Sequence, residues 1–350
     1  MTTARGDRHR TLSASLAAQG DSALAALIDG GRSHSVGVGG GSTVADVDGV
    51  PVFIKRIPLT DLELAHRGST ANLFGLPLVC QYGIGGPGFN AWRELAANTI
   101  VTEAVLAGRT QSFPMLYHWR ILPGRAPIAE EHVDIDAVVA AYGGDSTVRA
   151  RLEALAAARC SLVLFSEYIP HPISNMLRDN PIGVAPEFER QLSDIVAALR
   201  EHQLLHMDGH FGNLRSDGSR VFLTDFGLAT SPHFELTPAE GDFVERHSTH
   251  DADYAAMRLV NWLVTDVCEI PMPETGGPVE RNNYVQRCAA GYIPPDVPPA
   301  VAAILARHAP GAADMNALYW KLFGGDLHAE FVPNHYRAGT FPRPSSAIQE

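Results

Sequence analysis

The chain has 350 residues, of which 45% are hydrophobic and 19% are charged, a composition typical of globular rather than disordered proteins. Its 39 acidic and 27 basic residues give a formal net charge of −12, which argues against binding to a nucleic-acid backbone, because basic surfaces hold phosphates. No apolar stretch has the length of a membrane span or the form of a signal peptide, and the four Cys form no C-x-x-C pair. We therefore expect a cytoplasmic protein of about two domains, with no membrane association and no disulfide framework.

The first half of the chain alternates between helical and strand patterns. Asp48-Gly49 lies between two β-rich runs and is typical of a tight hairpin. The predicted elements are a weak helix or helix pair at 11–29, strands within 35–59, an irregular glycine-rich stretch at 60–89, a helix at 90–107, a strand at 113–122, two helical pieces within 134–158 and a buried strand at 161–169.

The second half is mainly helical. It contains an amphipathic helix at 186–202, a short hairpin turning at Asp217-Gly218, and a mostly helical region at 251–325. The pattern therefore predicts a small β-rich part followed by a larger helical part, with the change just after Ile169.

The segment between these two helical regions carries the strongest chemical signal. Asp208 and Asn213 lie five residues apart in the loop after the 186–202 helix, and Asp225 follows at the end of the short hairpin. Two carboxylates and an amide oxygen can together bind Mg²⁺ and orient a hydroxyl group. The alternative is a turn-rich surface hairpin with local caps, but the spacing of all three residues favours a site.

Two upstream features agree with this interpretation. Residues 37–44 approximate the pattern G-x-G-x-x-G-x-V, with Ser42 at the third glycine, and small residues on a hairpin let backbone N–H groups approach phosphates. Lys55 ends a β-branched strand in an apolar setting, where it could hold phosphates. Each feature alone is weak, because a flexible linker or a surface lysine would look similar.

With these motifs in place, residues 36–265 resemble the protein-kinase-like superfamily, which includes Ser/Thr protein kinases and aminoglycoside-type phosphotransferases. The resemblance is most specific at HMDGHFGN and TDFGLA. It implies an α+β, bilobal protein-kinase-like fold. The implied divisions are an N-terminal extension at 1–30, an antiparallel β-rich N-lobe with one helix at 31–169, a mainly helical C-lobe at 170–330 and a tail at 331–350.

The resemblance also implies roles for individual residues. Asp208 matches the catalytic aspartate, Asn213 and Asp225 match the residues that hold Mg²⁺, and His206 matches the structural histidine that opens the catalytic loop. Lys55 matches the lysine that anchors the phosphates of ATP. The implied nucleotide contacts are Gly37, Gly39, Gly40, Ser42 and Val44 in the glycine-rich hairpin, and the backbones of Glu167 and Ile169 at the adenine edge, beside Ser166 at the gatekeeper position.

A glutamate on the following helix must pair with Lys55. Glu94 and Glu103 are both candidates, and their spacing puts them on opposite faces of that helix. Family spacing favours Glu103. Similarly, Asp251 or Asp253 could support the backbone of the catalytic loop, and Asp253 fits slightly better.

Four features depart from the family pattern. Met207 replaces the arginine that usually pairs with a phosphorylated activation loop, so regulation of that kind is not expected. His210 is typical of aminoglycoside-type enzymes, no A-P-E string follows Asp225, and Phe53 replaces the small residue that covers the adenine.

Two remaining features, an insertion and a pair of histidines, each have a structural and a functional interpretation. We interpret an insertion at about 123–160 as surface elaboration, with contact to an acceptor or partner as the alternative. His247 and His250 could hold a metal, but a chance pairing is favoured because the chain has 15 His.

The resemblance implies an ATP- and Mg²⁺-dependent transfer of the γ-phosphoryl group to a hydroxyl acceptor. His210 and the missing A-P-E string narrowly favour a small molecule, whereas TDFGLA looks closer to a serine/threonine protein kinase. A catalytically inactive pseudokinase is a further alternative, although the set Lys55, Asp208, Asn213 and Asp225 is complete.

Overall fold

The structure is a computed structural model that describes residues 4–37, 40–127 and 129–332. A small antiparallel sheet dominates the first part of the chain and helices dominate the second, which confirms the predicted α+β class. The helices are α1 (Ala4–Ala18), α2 (Asp21–Asp29), α3 (Asp61–Ala65), α4 (Ala91–Leu106), α5 (Ile135–Ala141), α6 (Ser146–Ala157), α7 (Ile173–Arg178), α8 (Pro181–Glu201), α9 (Pro238–Arg246), α10 (His250–Asp266), α11 (Val279–Ala289) and α12 (Pro299–Phe323). The strands are β1 (Arg32–Gly37), β2 (Gly40–Val47), β3 (Val50–Leu59), β4 (Leu116–Pro123), β5 (Cys160–Glu167), β6 (His171–Pro172), β7 (Leu214–Ser216) and β8 (Val221–Leu223).

The first sheet has the strand order β1-β2-β3-β5-β4, and every neighbouring pair is antiparallel. The β2–β3 hairpin turns at Asp48 and Gly49, whose φ angles are 54° and 81°. A turn with two positive φ angles matches the twist of the strands that it joins, so the predicted hairpin is confirmed. Its register places Ser42 opposite Lys55.

The two N-terminal helices are built into the fold. Leu12 and Leu16 of α1, and Leu24 and Ile28 of α2, are buried in the same hydrophobic core as the sheet and the C-terminal helices. Apolar side chains four residues apart form a stripe that is stable only against a partner surface. The segment expected to be an extension therefore contributes to the core.

The start of α4 is fixed by buried polar contacts. Asn90 caps the helix by accepting a hydrogen bond from the N–H of Trp92 at 2.9 Å, and the N–H of Ala91 donates to the carboxylate of Glu63 at 2.8 Å. Glu63 is fully buried and forms an ion pair with Arg151 of α6 at 2.9 Å. Because this pair neutralises a charge away from water, it holds α3, α4 and α6 in one arrangement.

The second part consists of helices with the small antiparallel sheet β6-β7-β8, and α10 packs against α8, α11 and α12. The predicted helix at 186–202 is α8, which begins earlier because Asn180 caps it and Pro181 suits its first turn. β5 ends at Glu167 and α7 begins at Ile173, on either side of Ile169. Among the helices of the described ranges, none has the length and apolar character needed to cross a bilayer.

Candidate active site

A cavity of about 780 Å³ lies between the five-stranded sheet and the helical part. This volume is typical of sites for small molecules and cofactors. Lys55, Asp208, Asn213 and Asp225 all line it. The four residues that the motifs single out, although far apart in the sequence, therefore face one space.

Lys55 is the central cation of this cavity. It lies on β3 and is 8% exposed, and its Nζ donates hydrogen bonds to Glu94 Oε1 and Asp225 Oδ1, both at 2.7 Å. The prediction that Glu103 pairs with Lys55 is wrong, because Glu103 is exposed to solvent. The prediction that the two glutamates lie on opposite faces of the helix is confirmed.

Glu94 reaches Lys55 because of where α4 begins. The helix starts at Ala91, so Glu94 lies in its first turn, and Ala91, Glu94 and Asn98 line the cavity as one stripe at helical spacing. Glu103 lies near the other end of the helix. The family spacing that favoured Glu103 takes no account of this stripe of small and polar residues, which was the signal that could have identified the correct carboxylate.

The three charged groups at this point shift one another's pKa. Burial acts to lower the pKa of Lys55, but the charges of Asp225 and Glu94 outweigh it and raise the pKa, so the amine is charged at neutral pH. Burial raises the pKa of Glu94 to about 7 against the opposing effect of Lys55. Burial also acts to raise the pKa of Asp225, but Lys55 lowers it overall. The ammonium group is thus held between two carboxylates, and Asp225 is the more exposed of them, with 42% of its side chain accessible.

The loop at 206–213 is tied to the end of β8 through a buried histidine. The Nε2 of His206 lies 3.0 Å from the carbonyl oxygen of Thr224, and its Nδ1 accepts a hydrogen bond from the N–H of Asp208 at 3.3 Å. Burial lowers the pKa of His206, so the ring is neutral and its two nitrogens can take these different roles. His206 therefore joins the loop to the end of β8 through one contact at each ring nitrogen, a geometry that suits the predicted structural role.

A carboxylate supports the strained backbone of the same loop. Met207 has a φ of 66°, a left-handed conformation that costs energy for a residue other than glycine. Asp251 accepts hydrogen bonds from the N–H groups of His206 at 2.6 Å and Met207 at 3.0 Å. The prediction that Asp253 has this role is wrong: Asp253 accepts a hydrogen bond from the hydroxyl of Thr249 at 3.0 Å instead.

Asp208 lies in the cavity wall with Asn213 and His210. The Nδ2 of Asn213 donates to the backbone oxygen of Asp208 at 2.9 Å and to its Oδ2 at 3.2 Å. Burial, followed by the charge of Asp225, raises the pKa of Asp208 to about 7. Burial lowers the pKa of His210, so the neighbouring imidazole is neutral. A carboxylate with a pKa near neutrality is suited to accept a proton.

Asn213 and Asp225 also provide oxygen atoms of the kind that Mg²⁺ prefers. Both hydrogen bonds of the Asn213 side chain use its Nδ2, which leaves Oδ1 for another partner. Asp225 accepts hydrogen bonds from Lys55 and Gly227 through Oδ1, which leaves Oδ2. The two side chains therefore fit a magnesium ion that takes its other ligands from water and phosphate. Over the described ranges, no group of three or more His, Cys, Asp or Glu side chains could hold a metal by itself.

The glycine-rich hairpin lies at the edge of the cavity. Gly39 falls outside the described residues, whereas Gly37 and Gly40 pair with each other at the end of β1 and β2. Gly40 has a φ of 110°, and a Cβ there would lie 1.9 Å from a carbonyl oxygen of β3, so only glycine fits. Gly40 and Ser42 belong to the cavity lining, whereas Val44 does not.

The far end of the cavity follows the end of β5. Ser166, Glu167 and Ile169 line it, and Phe53, which pairs with Ser166 in the sheet register, lies on the same wall. The N–H of Glu167 donates to the carbonyl oxygen of Met115 at 2.8 Å, which fixes the backbone there. The residues predicted at the adenine edge thus lie together.

The insertion between β4 and β5 forms part of the cavity wall. Pro127, His132 and Arg151 line the cavity, and the Nε2 of His132 contacts the carbonyl oxygen of Gly85 at 3.1 Å. The interpretation of the insertion as surface elaboration is therefore wrong. Arg151 is only 2% exposed, so this part of the insertion packs in the interior.

A second segment, residues 82–88, contacts Asp208 directly. A Cβ built on Gly83 would lie 2.3 Å from Asp208 Oδ1, and one built on Gly86 would lie 2.3 Å from the hydroxyl oxygen of Tyr142. The backbone therefore approaches the carboxylate at a distance that leaves no room for a side chain. The motifs in the sequence predict no role for this segment. Its four glycines within six residues were the available signal, because glycine permits such close approach.

His247 and His250 belong to a buried aromatic cluster. The Nε2 of His247 lies 2.6 Å from the hydroxyl oxygen of Tyr82, and its ring stacks on Phe243 with centroids 3.7 Å apart. Burial lowers the pKa of His247 to about 3. Packing therefore accounts for this pair of histidines.

Two comparisons with known proteins gave no match. No family model matches the chain, and no curated protein matches it.

Proposed function

We propose that the protein is an ATP- and Mg²⁺-dependent phosphotransferase with a bilobal, protein-kinase-like fold, which moves the γ-phosphoryl group of ATP to a hydroxyl acceptor. The observation that carries the proposal is the convergence of Lys55, Asp208, Asn213 and Asp225 on one cavity. Phosphoryl transfer depends mainly on positioning and charge stabilisation, and these four side chains supply a cation, two carboxylates and an amide oxygen for it.

Each residue then has a chemical role. Lys55, held by Glu94, would bind the α- and β-phosphates. Asn213 and Asp225 would hold Mg²⁺, which neutralises phosphate charge when bound. Asp208 would orient the acceptor hydroxyl and take its proton. The 2.7 Å contact between Lys55 and Asp225 supports this assignment, because a phosphate oxygen could replace one carboxylate oxygen beside the ammonium group.

The cavity also suits the rest of a nucleotide. Gly40 and Ser42 would cover the phosphates, and the backbones of Glu167 and Ile169 would contact the adenine edge. Phe53, on the same wall, would pack against the base in place of a smaller side chain.

A small hydroxyl compound is the favoured acceptor. Gly83 covers Asp208 on one side, and His132 of the insertion bonds to the same glycine-rich segment. An extended peptide substrate needs an open surface beside the catalytic carboxylate, whereas a small molecule needs only the enclosed space. A protein acceptor and a non-catalytic binding role are the alternatives that the test must separate.

The test measures ATP turnover with a panel of hydroxyl metabolites and with generic protein acceptors, alongside thermal shifts with ATP and Mg²⁺. We expect a shift with Mg-ATP and turnover on at least one metabolite. Asp208→Ala should abolish transfer while leaving nucleotide binding largely intact, because this side chain would meet the acceptor rather than ATP. Wild-type turnover by this variant would disprove the assignment, and the absence of any nucleotide-dependent shift would favour the non-catalytic role.

A further inference from the structure

Arg5, at the start of α1, is a half-buried cation that the motifs do not explain. Only 12% of its side chain is accessible, and it forms an ion pair with Glu167 through Nη2 and Oε2 at 2.5 Å. Its Nε also donates to both carboxylate oxygens of Glu167, at 3.1 and 3.2 Å. The contact joins residues that are 162 positions apart in the sequence.

The remaining donors of Arg5 bind the segment that precedes β4. Its Nη1 donates to the side-chain oxygen of Gln111 at 2.8 Å, and its Nη2 donates to the carbonyl oxygen of Phe113 at 2.7 Å. The guanidinium lies 5.4 Å from the ring centroid of Phe222 on β8. One side chain therefore contacts the end of β5, the approach to β4 and the second sheet.

These contacts cross the junction between the two parts of the protein. Glu167 ends β5 and lines the cavity, whereas Phe222 belongs to the helical part. The carbonyl oxygen of Ser112, next to the Arg5 contacts, accepts a hydrogen bond from the N–H of Leu223 at 3.0 Å. Arg5 thus contacts Glu167 without itself lining the cavity.

Stability alone does not explain why a largely buried ion pair lies at this position. Removing two charges from water costs much of what their attraction returns, and the planar guanidinium is suited to fix a carboxylate in one orientation. Glu167 is fixed twice, through its side chain by Arg5 and through its N–H by Met115. Such a double constraint holds the backbone at the adenine edge in one place.

We propose that Arg5 is a positioning residue of the nucleotide site, which acts through Glu167 to set the backbone that contacts adenine and the angle between the two lobes. The inference rests on the proposed function, since it concerns the same nucleotide site. It gives α1 a part in nucleotide affinity that is exerted through Glu167.

The test measures the dissociation constant of the non-hydrolysable ATP analogue AMP-PNP with Mg²⁺ by calorimetry, on the full chain, at a temperature where circular dichroism shows every variant folded. Arg5→Gln should weaken binding on the order of tenfold, because it releases a positioning contact. Arg10→Gln is the matched control: it lies on the same helix, is exposed and pairs only locally with Asp7, so its affinity should equal that of the wild type.

A merely structural role for Arg5 would lower the melting temperature without this change in affinity. In the Glu167→Gln background, Arg5→Gln should have little further effect on the dissociation constant, because the partner through which it acts is already neutral. At saturating ATP, kcat should stay near that of the wild type while KM rises. If Arg5→Gln does not fold, Arg5→Lys carries the same test, since it keeps the charge but not the planar donors.

The outcomes separate the two proposals. If the wild type binds Mg-AMP-PNP and the folded Arg5 variant binds it equally well, the role of Arg5 is disproved and the proposed function is intact. If the wild type does not bind the nucleotide, the proposed function is disproved, and the role of Arg5 with it.

Discussion

Replacing Asp208 with Asn should remove activity but make the protein more stable above neutral pH. The pKa of Asp208 is raised from its ordinary value of 3.8 to about 7, with burial as the main cause, and only 21% of its side chain is accessible. The folded protein therefore binds a proton at this carboxyl more tightly than the unfolded chain does. The stability that the protonated carboxyl contributes is lost as the pH rises from about 4 to about 7, and the loss levels off above that pH.

The size of the effect follows from that pKa. The difference between the folded and unfolded values corresponds to about 4 kcal/mol of lost stability above pH 7. Asn has nearly the same shape, carries no charge and can still accept the hydrogen bond from Asn213. Asp208→Asn should therefore exceed the wild type by up to about 4 kcal/mol at about pH 8, and by roughly half of that at about pH 5.5.

Urea unfolding at these two pH values measures the effect, with ATP turnover measured in parallel. Asp242→Asn is the matched control, because Asp242 is an exposed carboxylate on α9, and its stability should follow that of the wild type at both pH values. If Asp208→Asn were no more stable than the wild type at the higher pH, or if its gain were the same at both, the argument from burial would be refuted.

Three other substitutions test the geometry of the site. Glu94→Gln should lower kcat/KM for ATP turnover on the order of 10²-fold, because Lys55 loses its buried partner, whereas the exposed Glu103→Gln should have no effect; equal losses would contradict the pairing. Gly83→Ala should reduce phosphoryl transfer far more than nucleotide affinity, because the added methyl meets the Asp208 carboxylate. The control is Gly241→Ala on α9, where a Cβ meets nothing within 4 Å. This variant should match the wild type in both assays. Arg151→Ala should lower the free energy of unfolding by about 3–5 kcal/mol, because its buried carboxylate partner is left unpaired; a change below about 1 kcal/mol in urea unfolding would show that this pair does not hold the insertion in place.

Local signals in the sequence predicted the elements whose cause is local. The Asp48-Gly49 turn requires two positive φ angles, so its two residues are enough to place a hairpin. The same holds for the loop that carries Asp208 and Asn213, because both residues lie in one short stretch. Glu94 shows how a local signal can be present and overlooked, since it lies in a stripe with Ala91 and Asn98 at helical spacing.

Contacts between distant segments could not be predicted in the same way. The partner of Arg5 is 162 residues away, and that of Arg151 is 88 residues away. A buried arginine looks the same as an exposed one until the fold brings its carboxylate to it. Gly83 is a similar case, because a glycine in a loop indicates close approach but does not identify Asp208 as the group approached.

The same long-range contacts explain how the site is kept assembled. Beside Glu94, Arg93 donates to the carboxylate of Glu240 on α9 at 2.5 Å, and both side chains are almost fully buried. Together with the Glu63 contact to the N–H of Ala91, this pair attaches the first turn of α4 to both parts of the protein. Breaking a buried pair is costly, so α4 cannot rotate away from Lys55 without losing these contacts. The ion pair between Lys55 and Glu94 is therefore held in place by contacts of the fold itself.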